Sequence, residues 1–251
     1  MFRIYMSRKN TKLFLLAGFL LLAGLEPLFG MHIMEGFLPA TWCGIWYIIT
    51  LPVVIISYRY ILKITKENPK MKILLALSAA FVFILSALKL PSVTGSSSHL
   101  TGTTLGTVLI GAWAMPVIGV IVLLFQALLL AHGGISTLGA NVFSLSIVGP
   151  FVAYGIIKGL QKTNLNKSVI YFFATFFGTL STYLTTSFQL AFVFPDPTAG
   201  IWGAAVKFMS IFAVTQVPLA IVEGIITVLV LRILTEQKVD TVMFQPKKSA
   251  K

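Results

Sequence analysis

The feature that most constrains this chain is a succession of long apolar stretches. A helix needs about 20 residues to cross the hydrocarbon core of a bilayer. Hydrophobic residues make up 57% of the 251 residues and charged residues only 10%, whereas soluble domains carry about a quarter charged residues. One soluble core cannot bury so much apolar surface, so the sequence predicts an all-α integral membrane protein.

The apolar stretches that follow residue 40 predict the membrane-spanning helices. Five are single stretches of helical length, near 41–64, 71–90, 137–160, 168–193 and 208–234. A further stretch, 103–131, is interrupted at Met115-Pro116, and proline is well accommodated at the first position of a helix. We therefore predict two helices here, near 103–114 and 116–131, and about seven spans in the mature chain.

The basic residues indicate which side of the membrane each loop occupies. The net charge is +12, and its clusters flank the apolar stretches, at 3–12, 63–72, 158–167 and 232–251. Lys and Arg accumulate in cytoplasmic loops. Two crossings within 103–131 put the last three clusters on the cytoplasmic side, including a basic tail at 237–251. The mature N-terminus then lies outside, and the pattern argues against nucleic-acid binding.

Residues 1–30 have the pattern of a signal peptide. A basic stretch ending at Lys12 precedes an apolar core at 13–25, Glu26-Pro27 breaks the helix, and Gly30 offers a small residue for cleavage before Met31. A retained anchor helix is the competing interpretation. Removal leaves a polytopic membrane domain at 31–236.

Candidate metal ligands lie in the segments predicted to face outward. The chain has three histidines, and lone histidines are more often structural. If Met31 becomes the N-terminus, however, its α-amine, the amide nitrogen of His32 and the ring Nδ1 of His32 can close two fused chelate rings around one ion. His99 is the best-placed source of a fourth nitrogen. An all-nitrogen tetragonal site suits Ni(II), Cu(II) and low-spin Co(II) but not Mg(II) or Ca(II).

Other polar residues have two interpretations each. His132 lies in the sequence AHGG, which favours a helix C-terminal cap over a partner that orients a metal ligand. Glu35 is either a hydrogen-bond acceptor beside the metal site or a loop carboxylate. Glu223 is the only acid deep in a predicted span, where it marks a conduction path or pairs with a polar group. The uncharged polar segments 92–99 and 132–137 are where we expect the site.

Missing motifs limit the possible functions. The sequence has no G-x-x-x-x-G-K-[ST] phosphate loop, so we expect no ATP site in this chain, and it has no row of intramembrane acids that could relay protons. A transporter of this kind needs a partner that supplies energy. The alternatives are a membrane-embedded metal-dependent enzyme, for which no H-E-x-x-H occurs, and a structural subunit that binds no metal.

Four blocks carry a family resemblance: MHIMEGFLP at 31–39, SALKLPSVTGSSSH at 86–99, LLFQALLLAHGG at 123–134 and LGAN at 138–141. They resemble the CbiM family, the substrate-binding S components of cobalt energy-coupling-factor (ECF) transporters. The resemblance extends over nearly all of residues 31–235. It implies about seven helices and metal binding by the Met31 amine, the His32 amide and ring, and the His99 ring.

The resemblance also implies a function and a set of partners. Members capture Co(II) for ATP-driven import that feeds cobalamin synthesis, and they are not enzymes. The implied partners are a transmembrane coupling subunit (T component), ATP-binding subunits (A component) that hydrolyse ATP, and the small membrane protein CbiN. The nickel-transport NikM relatives share the first block, so import of Ni(II) is the alternative.

Overall fold

The computed structural model describes residues 32–88, 90–91 and 97–237. The predicted signal peptide at 1–30, the proposed ligand Met31 and nearly all of the predicted tail at 237–251 lie outside this part of the chain.

The described residues form helices α1 to α7, with two short strands between α2 and α3. The helices are α1 (Ala40–Glu67), α2 (Met71–Ala87), α3 (Thr103–Ile110), α4 (Met115–Leu130), α5 (Leu138–Leu160), α6 (Lys167–Val193) and α7 (Gly200–Glu236). Strand β1 (Leu90–Pro91) pairs antiparallel with β2 (Ser97–Ser98). A 3-10 turn, Ala112–Ala114, leads into α4, and Phe143–Val148 within α5 is π-helical.

The helices fall into two groups by length. By length and composition five helices can cross a membrane: α1, α4 with its preceding 3-10 turn, α5, α6 and α7. Helix α2 has 17 residues and α3 has 8, and a helix of eight residues is only about 12 Å long. The predicted all-helical membrane architecture is confirmed, whereas helix length supports five of the seven predicted crossings. All residues of α3 are buried, so this helix lies inside the protein.

The helices run back and forth between two ends of the bundle. One core cluster joins the last turns of α1, α5 and α7 to the first turns of α2 and α6; it includes Met71, Ile157, Ile170 and Leu231. We name this the basic end, because it also carries a group of lysines and one arginine: Lys63, Lys66, Lys70, Lys72, Lys158, Lys162, Lys167 and Arg232. The other main cluster, around Ile33, Leu38, Val142 and Leu190, marks the opposite end.

The turn after α4 brings polar residues to the opposite end of the bundle. Helix α4 begins at Met115-Pro116, as the sequence predicts, and ends at Leu130; its C-cap residue, Ala131, adopts a left-handed conformation with φ 47°. The amide of His132 donates to the carbonyl of Gln126 and so closes the last turn. Gly133 follows with φ 72°, where glycine carries no steric penalty. A short loop, residues 134–137, then leads into α5.

Candidate metal centre

The three histidines meet at the end of the bundle opposite the basic end. The Nδ1 atom of His32 lies 2.6 Å from Nε2 of His132 and 3.0 Å from Nε2 of His99. The three candidate ligand atoms lie within 4.8 Å of one another. All three side chains are buried, with relative exposures of 3%, 0% and 5% for His32, His99 and His132. The chain therefore gathers, from segments far apart in sequence, the ring nitrogens that a transition metal needs.

The hydrogen bond on the far side of the His99 ring sets its tautomer. Nδ1 of His99 lies 2.8 Å from the carbonyl oxygen of Leu100. A carbonyl only accepts, so Nδ1–H is the donor, and Nε2 of the neutral ring keeps its lone pair toward His32. Fixing a ligand's orientation through its second nitrogen is the usual arrangement at metal-binding histidines.

The spacing of the nitrogens fits a shared ion. A metal–nitrogen bond is about 2.0 Å long, so two nitrogens at right angles around one ion stand about 2.8 Å apart. The distances of 2.6 and 3.0 Å bracket that value. The His32 and His99 rings stack with their centroids 4.4 Å apart, so coordination of one ion by both rings requires one ring to turn.

Asn141, in the first turns of α5, holds the backbone next to His32. Its Oδ1 accepts from the amide of Ile33 at 2.9 Å, and its Nδ2 donates to the carbonyl of Ile33 at 3.0 Å. The hydroxyl of Thr137 donates to the same carbonyl at 2.7 Å. Both backbone polar groups of Ile33 are thus satisfied by α5 and its N-cap, which fixes the position of His32.

Glu35 binds the loop before α5 rather than a histidine. Its carboxylate accepts from the amide of Ser136 at 3.0 Å, and its own amide donates to the carbonyl of Gly133 at 3.3 Å. Hydrogen bonds from the Ser136 hydroxyl and amide lower the pKa of Glu35. At Gly134 an added Cβ would stand 2.5 Å from the Cα of Glu35, so the two backbones touch. The N-terminal segment and this loop form one packed unit.

Glu223 anchors the chain just after His99. The carboxylate is fully buried in α7. Oε2 accepts from the amide of Thr101 at 2.8 Å, and Oε1 accepts from the Thr101 hydroxyl at 2.5 Å and the Gly102 amide at 2.7 Å. On the other side of His99, the hydroxyls of Ser98 and Thr215 lie 2.7 Å apart. Residues on both sides of His99 are therefore bonded to α7.

The structure brings some predicted site residues together and adds others. His32 and His99 are adjacent, Met31 lies outside the described residues, and His132 both closes α4 through its backbone and meets His32 through its ring. Sequence reasoning placed the site in the loops 92–99 and 132–137 but did not identify Asn141 or the partners of Glu223. Asn141 lies in the LGAN block, and that block was the feature of the sequence from which its role could have been predicted.

A family profile and individual relatives of this chain point to the same family. The profile of the CbiM family, described as "Cobalt uptake substrate-specific transmembrane region", matches residues 32–241. The "Cobalt transport protein CbiM" of Thermosipho melanesiensis is 60% identical over 215 residues, covering 85% of this chain and 91% of the relative. The protein of the same name from Clostridioides difficile is 49% identical over 246 residues, covering 97% of this chain and 98% of the relative.

Two solved structures share the fold. A crystal structure titled as a truncated transition metal transporter matches with a TM-score of 0.72 and 29% identity, covering 82% of this chain and 99% of that chain. A second, titled as a transition metal transporter, has a TM-score of 0.71 and 29% identity, covering 83% of this chain and 94% of that chain. The shared architecture is thus found in proteins described as transition metal transporters.

Proposed function

The chain belongs to the CbiM family, and from that membership we propose that it is the metal-capturing S component of an ATP-driven ECF importer. Its substrate is Co(II), and the imported cobalt supplies cobalamin synthesis. The observation that carries the proposal is the convergence of ring nitrogens from His32, His99 and His132 in a buried pocket.

We propose that the ion binds the Met31 amine, the amide nitrogen and Nδ1 of His32, and Nε2 of His99. The short connection between the two N-terminal residues permits fused chelate rings, and the lone pair that His99 keeps toward His32 supports its share in the site. His132 stands close enough to add a further nitrogen. Such a donor set takes borderline metals and leaves Mg(II) and Ca(II) in water.

The proposal assigns the energy source to partners: a T component, ATP-hydrolysing A components and CbiN. It places the basic end in the cytoplasm, in line with the preference of Lys and Arg for that side. The histidine pocket then faces outward with the mature N-terminus. An ion would be captured from outside the cell and passed inward when the partners act.

Metal content and N-terminal sequencing of the mature protein, purified from its own membrane, test the proposal. We expect a chain that begins at Met31 and carries one Co(II). A different first residue removes the chelating amine and contradicts the ligand set. Absence of stoichiometric cobalt and nickel contradicts metal capture and favours a structural subunit. Competition between the two ions decides between cobalt import and the nickel alternative, because both accept nitrogen donors.

Uptake by variants tests the residues. His32→Ala and His99→Ala each remove a ligand, so we expect loss of high-affinity Co(II) uptake with unchanged amounts of protein in the membrane. Thr107→Val in α3, a buried position whose hydroxyl donates to the carbonyl of Thr103 within the same helix, is the control. Uptake at the wild-type level by either histidine variant contradicts the site.

A further inference from the structure

The metal centre is divided between two separately anchored halves. We propose that α7 carries His99 as one half, that the α4–α5 turn and α5 carry His32 and His132 as the other, and that Glu223 and Thr215 are the positioning residues through which α7 sets metal retention. This inference rests on the proposed role of the histidine cluster in binding Co(II).

The His99 half is attached to α7 at two points. Thr215 bonds Ser98 immediately before His99, and Glu223 bonds Thr101 and Gly102 shortly after it. Eight residues of helix separate the two anchors, a rise of about 12 Å. A segment held at both ends by one helix should follow that helix when it moves.

Glu223 makes the stronger of the two attachments. Successive backbone amides, of Thr101 and Gly102, both point at its carboxylate, which is the arrangement of a backbone anion site. Gly102 has φ 69°, a conformation that glycine adopts without strain. Burying a carboxylate is costly unless its oxygens are bonded, so the loop and α7 hold each other in place.

The hydrogen bonds of the other half run to different elements, although Ile33 and Leu38 share an apolar cluster with Phe212 of α7. The backbone of Ile33 is bonded to Asn141 and Thr137, and Glu35 is bonded to Gly133 and Ser136. His132 belongs to the turn between α4 and α5. These attachments place His32 and His132 on a unit that includes the start of α5, whereas the attachments of His99 run to α7.

The division of the metal centre into two halves offers a way to release the ion. Displacing α7 against α5 withdraws Nε2 of His99 from Nδ1 of His32 but leaves the rest of the site intact. The ion then loses one nitrogen ligand, and its affinity falls without unfolding of the protein. Weakening the attachments to α7 should do the same in part, because His99 is then less firmly held.

The test uses the full-length mature protein in lipid nanodiscs, with Glu223→Gln, Glu223→Ala and Thr215→Val. Glutamine keeps an oxygen for two of the three bonds and presents an NH2 group to the third donor, so its effect should lie between wild type and alanine. Thr227→Val, a fully buried change four residues further along α7, is the matched control. The first measurement is hydrogen exchange of residues 98–102 in metal-free protein, and the second is the Co(II) dissociation rate.

We expect faster exchange at 98–102 and faster Co(II) dissociation in all three variants, about 10- to 100-fold for Glu223→Ala, as is common when a partner that orients a ligand is removed. Thr227→Val should match wild type in both. Wild-type exchange and dissociation in Glu223→Gln and Thr215→Val overturn the inference, and so does an equal effect of the Thr227 control. If the wild-type protein binds no Co(II), the proposed function fails, and the exchange comparison still decides whether α7 anchors the loop.

Discussion

Asn141 binds both backbone polar groups of Ile33, so the residue that follows His32 has little freedom. Asn141→Ala removes both bonds and leaves only the Thr137 hydroxyl on the Ile33 carbonyl. We expect the Kd for Co(II) to rise about 10- to 100-fold, the usual cost of losing a group that orients a metal ligand. Titration calorimetry of the purified variant measures this.

The control for that prediction is one turn away. Ser144 is also buried in α5, and its hydroxyl bonds only within the helix, to the carbonyl of Asn141. Ser144→Ala should bind Co(II) as wild type does. Equal affinities in the two variants would mean that Asn141 does not position His32.

The Glu35–Ser136 contact should give a pH-dependent contribution to stability. Hydrogen bonds from Ser136 lower the pKa of the Glu35 carboxyl from its ordinary value of 4.5. A lowered pKa means that the contribution is complete above the ordinary value and is lost as the pH falls through the folded value. The difference in Tm between wild type and Glu35→Gln should therefore be constant near neutral pH and shrink only below 4.5.

Thermal unfolding of metal-free protein between pH 3 and 7 checks the Glu35 prediction. Glu67→Gln, at the exposed end of α1, supplies the comparison for simple loss of a surface charge. A Tm difference for Glu35→Gln that grows as the pH is lowered has the opposite sign and contradicts the prediction.

The sequence predicts the role of His32 more firmly than that of His132. The chelating geometry of an N-terminal Met-His pair follows from bond lengths alone, so His32 could be proposed from the sequence. His132 could not be assigned with the same force, because a helix end before glycine explains a histidine equally well. In the structure the backbone of His132 closes α4 and its ring contacts His32, and only tertiary packing brings that ring to a residue 100 positions away.

At the scale of elements, the same apolar composition hides two different environments. The stretch 103–131 contains α3, a helix of eight residues with every side chain buried, and α4, which is long enough with its preceding turn to cross a membrane. Lipid and protein interior both select apolar residues, so composition cannot separate a lipid-facing helix from one enclosed by neighbours. The Met115-Pro116 boundary could be predicted because proline has a specific backbone requirement.

The contact between Glu35 and the loop before α5 depends on the absence of a side chain at Gly134. In Gly134→Ala the new Cβ would stand 2.5 Å from the Cα and 2.7 Å from the amide nitrogen of Glu35. Backbone atoms cannot move aside individually, so the N-terminal segment must shift away from His132. We expect a loss of roughly 1–3 kcal/mol of stability and weaker Co(II) binding, measured by Tm and calorimetry.

Gly155→Ala, within α5, is the control for a glycine replaced without a clash, because no atom lies within 4 Å of an added Cβ there. Alanine favours helix over glycine by about 1 kcal/mol at most, so this variant should be unchanged or slightly more stable. If Gly134→Ala behaves like Gly155→Ala, the close approach of the two backbones does not matter.

At the scale of the whole molecule, the proposed ligand set makes metal binding depend on removal of residues 1–30. A chain that retains residues 1–30 has an amide at Met31, where the proposed ligand set requires an amine. Blocking cleavage, or adding a single alanine before Met31 in the mature protein, should abolish Co(II) binding while the protein still enters the membrane. Metal analysis of the purified forms measures this; the same alanine added after Lys251 is the control, and normal binding by the extended N-terminus excludes the amine as a ligand.

The length of α7 has a consequence for the lipid around it. Its 37 residues rise about 55 Å, whereas the hydrocarbon core is about 30 Å thick. Exposed Trp202 and Lys207 lie near one end of the helix and Arg232 near the other, and the mismatch in length must be taken up by tilt or by protrusion into the headgroups. Thinner bilayers should tilt α7 further.

If α7 sets metal retention as proposed, the acyl-chain length of the lipid should change the rate at which Co(II) dissociates. Co(II) dissociation measured in vesicles of short-chain and long-chain phosphatidylcholine should differ for the wild type, and Glu223→Ala should blunt the difference. Equal wild-type rates in both would uncouple the helix's inclination from the metal. Different rates would make membrane thickness an effector of Co(II) release that occupies no pocket in the protein.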